Sequence, residues 1–342
     1  FSPALILGDI AGDGDRISIM IWVGVIFLYY LLATLMPIDK IIGRIYPVFA
    51  FALIFMALAL MVCLFVKWPS LPELWDGLGN LGESKGLLSG QPIFPCLFIT
   101  IACGAVSGFH ATQSPMMARC LTDERLGRPV FYGAMITEGI VALIWATVSS
   151  WFFFDGGAAE VGATVSAAAP DVVVKVSKGW LGVLGGILAI LGVVAAPITS
   201  GDTAFRSARL IVADFLHLNQ KPVANRLMIS IPLFLIAGVL LWYNIADENG
   251  FNVIWRYFGW ANQTLAVFML WTATAYLVKF KKGLTYLITM IPAAFMTAVC
   301  TTYICVAKIG LGLPDSWNRA IGLATFVVSL VVFYILYFRR RK

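Results

Sequence analysis

The sequence predicts an all-α, polytopic membrane helix bundle, and three observations carry that prediction. Of the 342 residues, 60% are hydrophobic and only 12% charged, with a mean hydropathy of +0.89. A water-soluble globule of this length needs more polar residue to cover its surface. Nine apolar runs, at roughly 17–36, 47–66, 93–110, 130–154, 180–199, 228–246, 259–278, 284–307 and 320–338, reach the length that a bilayer crossing requires. None of them alternates at period two as a membrane barrel would, so the spans are expected to be helices within one transmembrane domain, 1–342.

The chain begins at Phe1, with no charged leader before it, and is expected to be a piece whose N-terminus is absent. With nine spans and the Arg339–Lys342 tail inside, the inner loops hold Lys40 and Arg44, then Arg119, Arg125 and Arg128, then Arg206, Arg209, Lys221 and Arg226, then Lys279, Lys281 and Lys282. Most of the 24 basic residues thus fall on one side, as the positive-inside rule requires. Two longer loops, 67–92 and 155–179, face outward, and the first mixes Trp, Leu and Pro with charges as an interfacial segment does. The six cysteines lie in or beside apolar runs without a CxxC pair, which argues against a disulfide framework or a zinc cluster and for buried thiols. The net charge of +6 forms no basic groove interleaved with stacking aromatics. The lipid bilayer, not nucleic acid, is the expected partner.

The third run carries the main candidate site. Gly104–Pro129 reads GAVSGFHATQSPMMARCLTDERLGRP and interrupts an apolar span with Ser107, Gly108, His110, Thr112, Gln113, Ser114 and Pro115. Irregular backbone survives at membrane depth only where it is buried in protein or lines a watery cavity, so the interruption marks a binding site. Ser114 followed by Pro115 has the form of an N-cap and first helical residue, which predicts a helix restart there. From Pro115 to Asp123 is roughly 12 Å of helix rise, which places that restart near the membrane midplane. The free amides of Met116 and Met117 would then face a substrate carboxylate.

Three further interruptions are candidates. Glu138 is the only acidic residue placed inside a span, and an intramembrane carboxylate is either a functional group or a structural hydrogen-bond partner of a neighbouring helix. The fifth run ends AAPITSGDTAFRSARLIVADF, where Thr199, Ser200 and Thr203 offer hydroxyls and Asp202 with Arg206 makes an i, i+4 pair. That set fits a small-cation site in an opened helix, or a span that simply ends with Asp202 capping a surface helix. In the seventh run, Trp260, Asn262 and Gln263 are placed at an outer helix start. His217 reads as a solvated loop histidine.

The segments SGFHATQSPMMARCL, AMITEGIVALIWA, PITSGDTAFRSARLIVADF and FGWANQTLA, in this order, closely resemble the carbon starvation protein A family of bacterial inner-membrane proteins. The resemblance runs over essentially the whole chain, with YYLLATLMPIDKIIGRIYPVF typical of shorter members. It implies a secondary transporter rather than an enzyme, linked to peptide uptake in carbon starvation, with relatives that carry pyruvate with protons. It further implies the C-terminal part of an inverted five-plus-five helix fold, in a multi-pass inner-membrane protein whose C-terminus is cytoplasmic. The family's N-terminal helices, with their Gly-Pro-rich motif, are missing from this sequence. In that fold the third run corresponds to the helix broken at the substrate and the fifth to the helix at the cation site. The expected function is therefore import of a peptide or small carboxylate, coupled to H⁺ or Na⁺, without another cofactor or a bound metal. The substrate is expected at Ser107, Gly108, His110, Thr112, Gln113, Ser114, Asn262 and Gln263, and the coupling ion at Glu138, His110, Thr199, Ser200, Asp202 and Thr203. Two alternatives are an intramembrane serine hydrolase, using Ser107 or Ser114 with His110 but lacking an evident carboxylate nearby, and a nutrient sensor on a transporter scaffold.

Overall fold

A computed structural model describes residues 16–35, 39–86, 91–164, 169–189, 191–192, 195–247, 250–281 and 283–337. The chain is 84% helical and has no strand among the described residues, so the all-α fold class stands. The helices are α1 (Arg16–Leu35), α2 (Asp39–Lys67), α3 (Leu74–Leu78), α4 (Leu81–Ser84), α5 (Ile93–Ala105), α6 (Gly108–Cys120) and α7 (Ala134–Phe154). They continue with α8 (Gly157–Glu160), α9 (Ala169–Ala189), α10 (Ala195–Phe215), α11 (Val223–Ala246), α12 (Gly250–Phe280), α13 (Leu287–Val306) and α14 (Asn318–Tyr337).

Seven described stretches are long and apolar enough to cross a membrane: Pro47–Lys67, Ile93–Cys120, Glu124–Phe154, Val172–Ala189, Val223–Ala246, Leu287–Val306 and Asp315–Tyr337. Bulky apolar side chains such as Leu143, Leu235 and Phe268 are two-thirds exposed on their surfaces. Water would penalise that area and hydrocarbon does not, so the protein is a multi-pass membrane protein. The expected run 17–36 lies on α1, whose apolar part is Met20–Ala33, and the run 259–278 lies inside the longer α12. Within the run expected at 180–199, Gly182 (φ 61°, ψ −143°) kinks α9; residues 190, 193 and 194 of that run lie outside the described residues. Hydropathy averages over such breaks because glycine and alanine remain apolar in any backbone conformation.

The chain forms two compact units, Phe1–Pro72 with Ile140–Trp242, and Glu73–Gly139 with Tyr243–Lys342. In the first, Ala52, Met56, Ala57 and Leu60 share one face of α2 and pack with Val148, Trp151 and Phe152 of α7 and Val172 and Val176 of α9. Phe205 of α10 stacks on Phe234 of α11 at 4.6 Å and meets Tyr30 of α1 at 5.5 Å. Lys67 pairs with Glu160 at the end of this bundle.

The second unit is built on α13, which buries Ala293, Ala294, Met296, Ala298, Val299, Cys300, Thr302 and Tyr303. Its alanines let neighbouring backbones approach, the usual means of helix association in lipid. Ile99 and Ala102 of α5 close the core with Met296, Val299, Cys300 and Tyr303. Buried and half-buried polar side chains fix the register: Trp260 donates to the Cys300 carbonyl (3.0 Å), Trp271 to Thr297 (3.0 Å), and Thr274 to Thr289 (2.8 Å). This register holds the break between α5 and α6 against α12.

Candidate functional site

The break lies at Val106 and Ser107, at the midpoint of the Ile93–Cys120 span, and not at Ser114. Val106 leaves helical geometry (φ −142°, ψ 84°) and Ser107 is extended (φ −89°, ψ 138°). Ser107 is the N-cap of α6, its hydroxyl accepting from the Phe109 amide at 3.2 Å. Pro115 is absorbed inside α6 and Ser114 is a helical residue, so Gly108 and Phe109, rather than Met116 and Met117, supply the first amides. The reason is tertiary. Asn262 of α12 donates to the Ser107 hydroxyl at 3.2 Å, and Gln263 is fully buried beside the break; in the amide orientation that pairs both of its ends it donates to the Val106 carbonyl and accepts from the Cys103 amide, both at 2.9 Å. These bonds satisfy the backbone that the break frees, whereas a proline inside a membrane helix can be accommodated by its neighbours.

Asn262 and Gln263 therefore stand in the interior of α12, which starts at Gly250, and not at an outer helix start. Gly108 completes this clamp. A Cβ there would lie 2.1 Å from the Asn262 carbonyl oxygen and 2.6 Å from Leu265 Cβ, so α6 and α12 touch backbone to backbone.

The other polar residues of α6 turn to a different face. Nε2 of His110 lies 2.8 Å from Oε2 of Glu138, joining two spans 28 residues apart in sequence. The side chains are 22% and 42% exposed, so the pair is open on the Glu138 side. Gln113 and Ser114, three and four residues after His110, share its face of the helix and are half-buried. Thr112 instead donates to the Phe109 carbonyl at 3.0 Å. The predicted substrate set thus divides. Ser107, Gly108, Asn262 and Gln263 build the break; His110, Gln113 and Ser114 line a polar face next to Glu138.

The carboxylate whose absence weakened the hydrolase alternative is present, because Glu138 faces His110. The nucleophile is not in place: Ser107 is 5% exposed and bonded to Asn262, and among the described residues no serine hydroxyl bonds His110. Catalytic geometry needs that contact.

In the first unit, Asp202 is buried in the interior of α10 and is neither the end of a span nor an N-cap. Arg206 lies 3.4 Å from it, one turn on. Gly201 accommodates the Tyr30 ring, whose hydroxyl would lie 2.3 Å from an added Cβ. Thr203 is half-buried, Ser200 is exposed, and the Thr199 side chain lies outside the described residues. Among the described residues no group of three His, Cys, Asp or Glu could hold a metal ion. Of the cysteines, Cys300 is buried but Cys120 is exposed at the end of α6, against the expectation of buried thiols throughout. His217 is exposed in its loop with φ 52°.

A multi-pass bundle with one span broken at mid-length, and a histidine on the restarted half in contact with a carboxylate of the next span, has the architecture in which membrane carriers hold solutes. Residues 14–180 and 155–303 match the family model described as carbon starvation protein CstA, and the chain belongs to that family. An uncharacterized membrane protein of Haemophilus influenzae is 46% identical over 176 residues, which is 44% of this chain and 47% of that protein. The peptide transporter CstA of Escherichia coli is 29% identical over 296 residues, covering 68% of this chain and 41% of the relative. The pyruvate/proton symporter BtsT of Escherichia coli is 27% identical over 323 residues, covering 70% and 43%. The chain spans less than half the length of these relatives. No solved structure matches it.

Proposed function

We propose that this chain forms part of a proton-coupled secondary importer of peptides or small carboxylates such as pyruvate, serving the response to carbon starvation. The five-plus-five repeat, the inner-membrane location and the cytoplasmic C-terminus belong to the same reading. The observation that carries it is the His110–Glu138 pair, whose histidine stands three residues beyond the α6 N-cap. Glu138 stands near the middle of the Glu124–Phe154 span, where a carboxylate facing hydrocarbon is costly. Its open side must therefore meet water or protein.

One proton added to the pair removes one negative charge from the neighbourhood of the break. A substrate carboxylate at the positive end of α6 is then opposed by less negative charge. Proton and carboxylate each favour the binding of the other, and linkage makes the effect reciprocal. Ser114, on the same face as His110, can orient the solute, and the contacts from α12 hold the break in place.

The test is transport by the intact protein in liposomes. An inward proton gradient should drive accumulation of labelled pyruvate or L-alanyl-L-alanine, and a protonophore should abolish it. Accumulation under a sodium gradient alone would remove proton coupling and shift attention to Thr199, Ser200, Asp202 and Thr203. A serine-directed fluorophosphonate should leave the protein unlabelled, and labelling at Ser107 or Ser114 would overturn the transporter reading in favour of a hydrolase.

A further inference from the structure

A polar cavity of about 330 Å³ lies in the same unit as the break, where α5 begins, α13 ends and α12 makes its first turns. Gln91, Cys96, Arg256, Tyr303, Lys308 and Asp315 line it. Two basic groups against one acid leave its wall with a net positive charge. Among the described residues neither Arg256 nor Lys308 has an ion-pair partner, so both cations are available to a ligand.

The walls are fixed before any ligand arrives. Asn318 at the start of α14 donates to the Phe94 carbonyl (3.3 Å), and Tyr257 donates to the Ile309 carbonyl. The segment that carries Lys308 folds back on α13, with the Leu311 amide donating to the Ile304 carbonyl and the Leu313 amide to the Cys305 carbonyl, both at 2.9 Å. Gly310 permits this, since a Cβ there would fall 1.9 Å from the Ile304 oxygen. A preformed cavity with a few convergent polar groups is the usual form of a small-molecule site.

We infer that this cavity is a second binding site, for a small organic carboxylate held by Arg256 and Lys308. Guanidinium and ammonium groups match a carboxylate in charge and donor geometry. The Tyr303 hydroxyl and the Gln91 amide add hydrogen-bonding capacity, and Asp315 offers an acceptor for an α-ammonium group. The site shares two helices with the break. Arg256 precedes Asn262 on α12 by roughly 9 Å of rise, and Cys96 precedes Ser107 by roughly 16 Å, so a solute held here stands in line with the inner site. The inference does not depend on the coupling role of His110 and Glu138.

Equilibrium binding of radiolabelled pyruvate and of labelled L-alanyl-L-alanine to the intact protein in detergent tests it. The expected result is a saturable component that weakens at least tenfold in Arg256→Gln/Lys308→Gln, persists in His110→Ala, and is retained in Arg256→Lys/Lys308→Arg. Lys308→Gln alone, on an exposed turn, gives the same direction of change should the double variant fail to fold. Asp315→Asn separates the two carboxylate sources: weakening of the dipeptide alone assigns a zwitterion, and no change in either assigns a simple monocarboxylate. Binding unchanged in Arg256→Gln/Lys308→Gln, binding lost equally in His110→Ala, or no binding of either compound to the unaltered protein would each overturn the second site. Proton-driven uptake that survives Arg256→Gln/Lys308→Gln with unchanged binding would overturn this site alone and leave the importer reading standing.

Discussion

Alanine at Gly108 is expected to unlock the break and to destabilise the unit that contains it. The added Cβ would sit 2.1 Å from the Asn262 carbonyl oxygen and 3.0 Å from its carbon, and these are backbone atoms that cannot rotate away. Relief requires α6 and α12 to separate, and overpacking of this kind costs about 1–3 kcal/mol. The separation also pulls Asn262 from Ser107 and Gln263 from Val106, two contacts at buried positions whose loss adds about 1 kcal/mol each. A fall in apparent melting temperature of several degrees in detergent, together with loss of uptake, is the expected outcome. Gly133→Ala is the control, because an added Cβ there meets nothing within 4 Å. If Gly108→Ala melts and transports like the unaltered protein, the backbone contact between α6 and α12 is not what holds the break.

The existence of the break was legible in the sequence, and its position was not. Ser107, Gly108, His110, Gln113 and Ser114 are too polar for an uninterrupted span, and that much follows from composition alone. Local chemistry then favours Ser114–Pro115 as the restart, because a serine before a proline has the form of a helix start. The deciding partners, Asn262 and Gln263, lie 155 residues or more away, and no local rule reaches them. Glu138 shows the same division. Its burial cost made it a candidate, but its partner could not be named until two spans were set side by side. The pair Asp202–Arg206 was legible because its spacing lies within one helix. The cavity around Arg256 and Lys308 escaped notice for the opposite reason, since its charges come from three separate loops and helix ends. Individually each looks like an ordinary residue at a membrane surface.

Glutamine at Glu138 is expected to abolish proton-driven accumulation while leaving solute exchange intact. The amide keeps the size of the carboxylate and a hydrogen-bonding group for Nε2 of His110, so the 2.8 Å contact between the two spans can persist. What it removes is the charge that a proton must neutralise and later restore. A carrier that cannot lose its proton can still bind solute on both faces of the membrane, so labelled pyruvate should exchange against unlabelled pyruvate at a rate near normal. Net uptake under an acid gradient should fall at least about fivefold, since a coupling free energy of about 1–3 kcal/mol is typical of linked sites and this change removes it. Because Glu138 is 42% exposed, the effect on folding should be small beside the effect on uptake. His110→Ala differs in kind, as it strips the carboxylate of its partner and should reduce exchange and net uptake together. Should Glu138→Gln concentrate solute under a proton gradient as the unaltered protein does, the pair is a structural tie between two spans, and the proton must travel elsewhere.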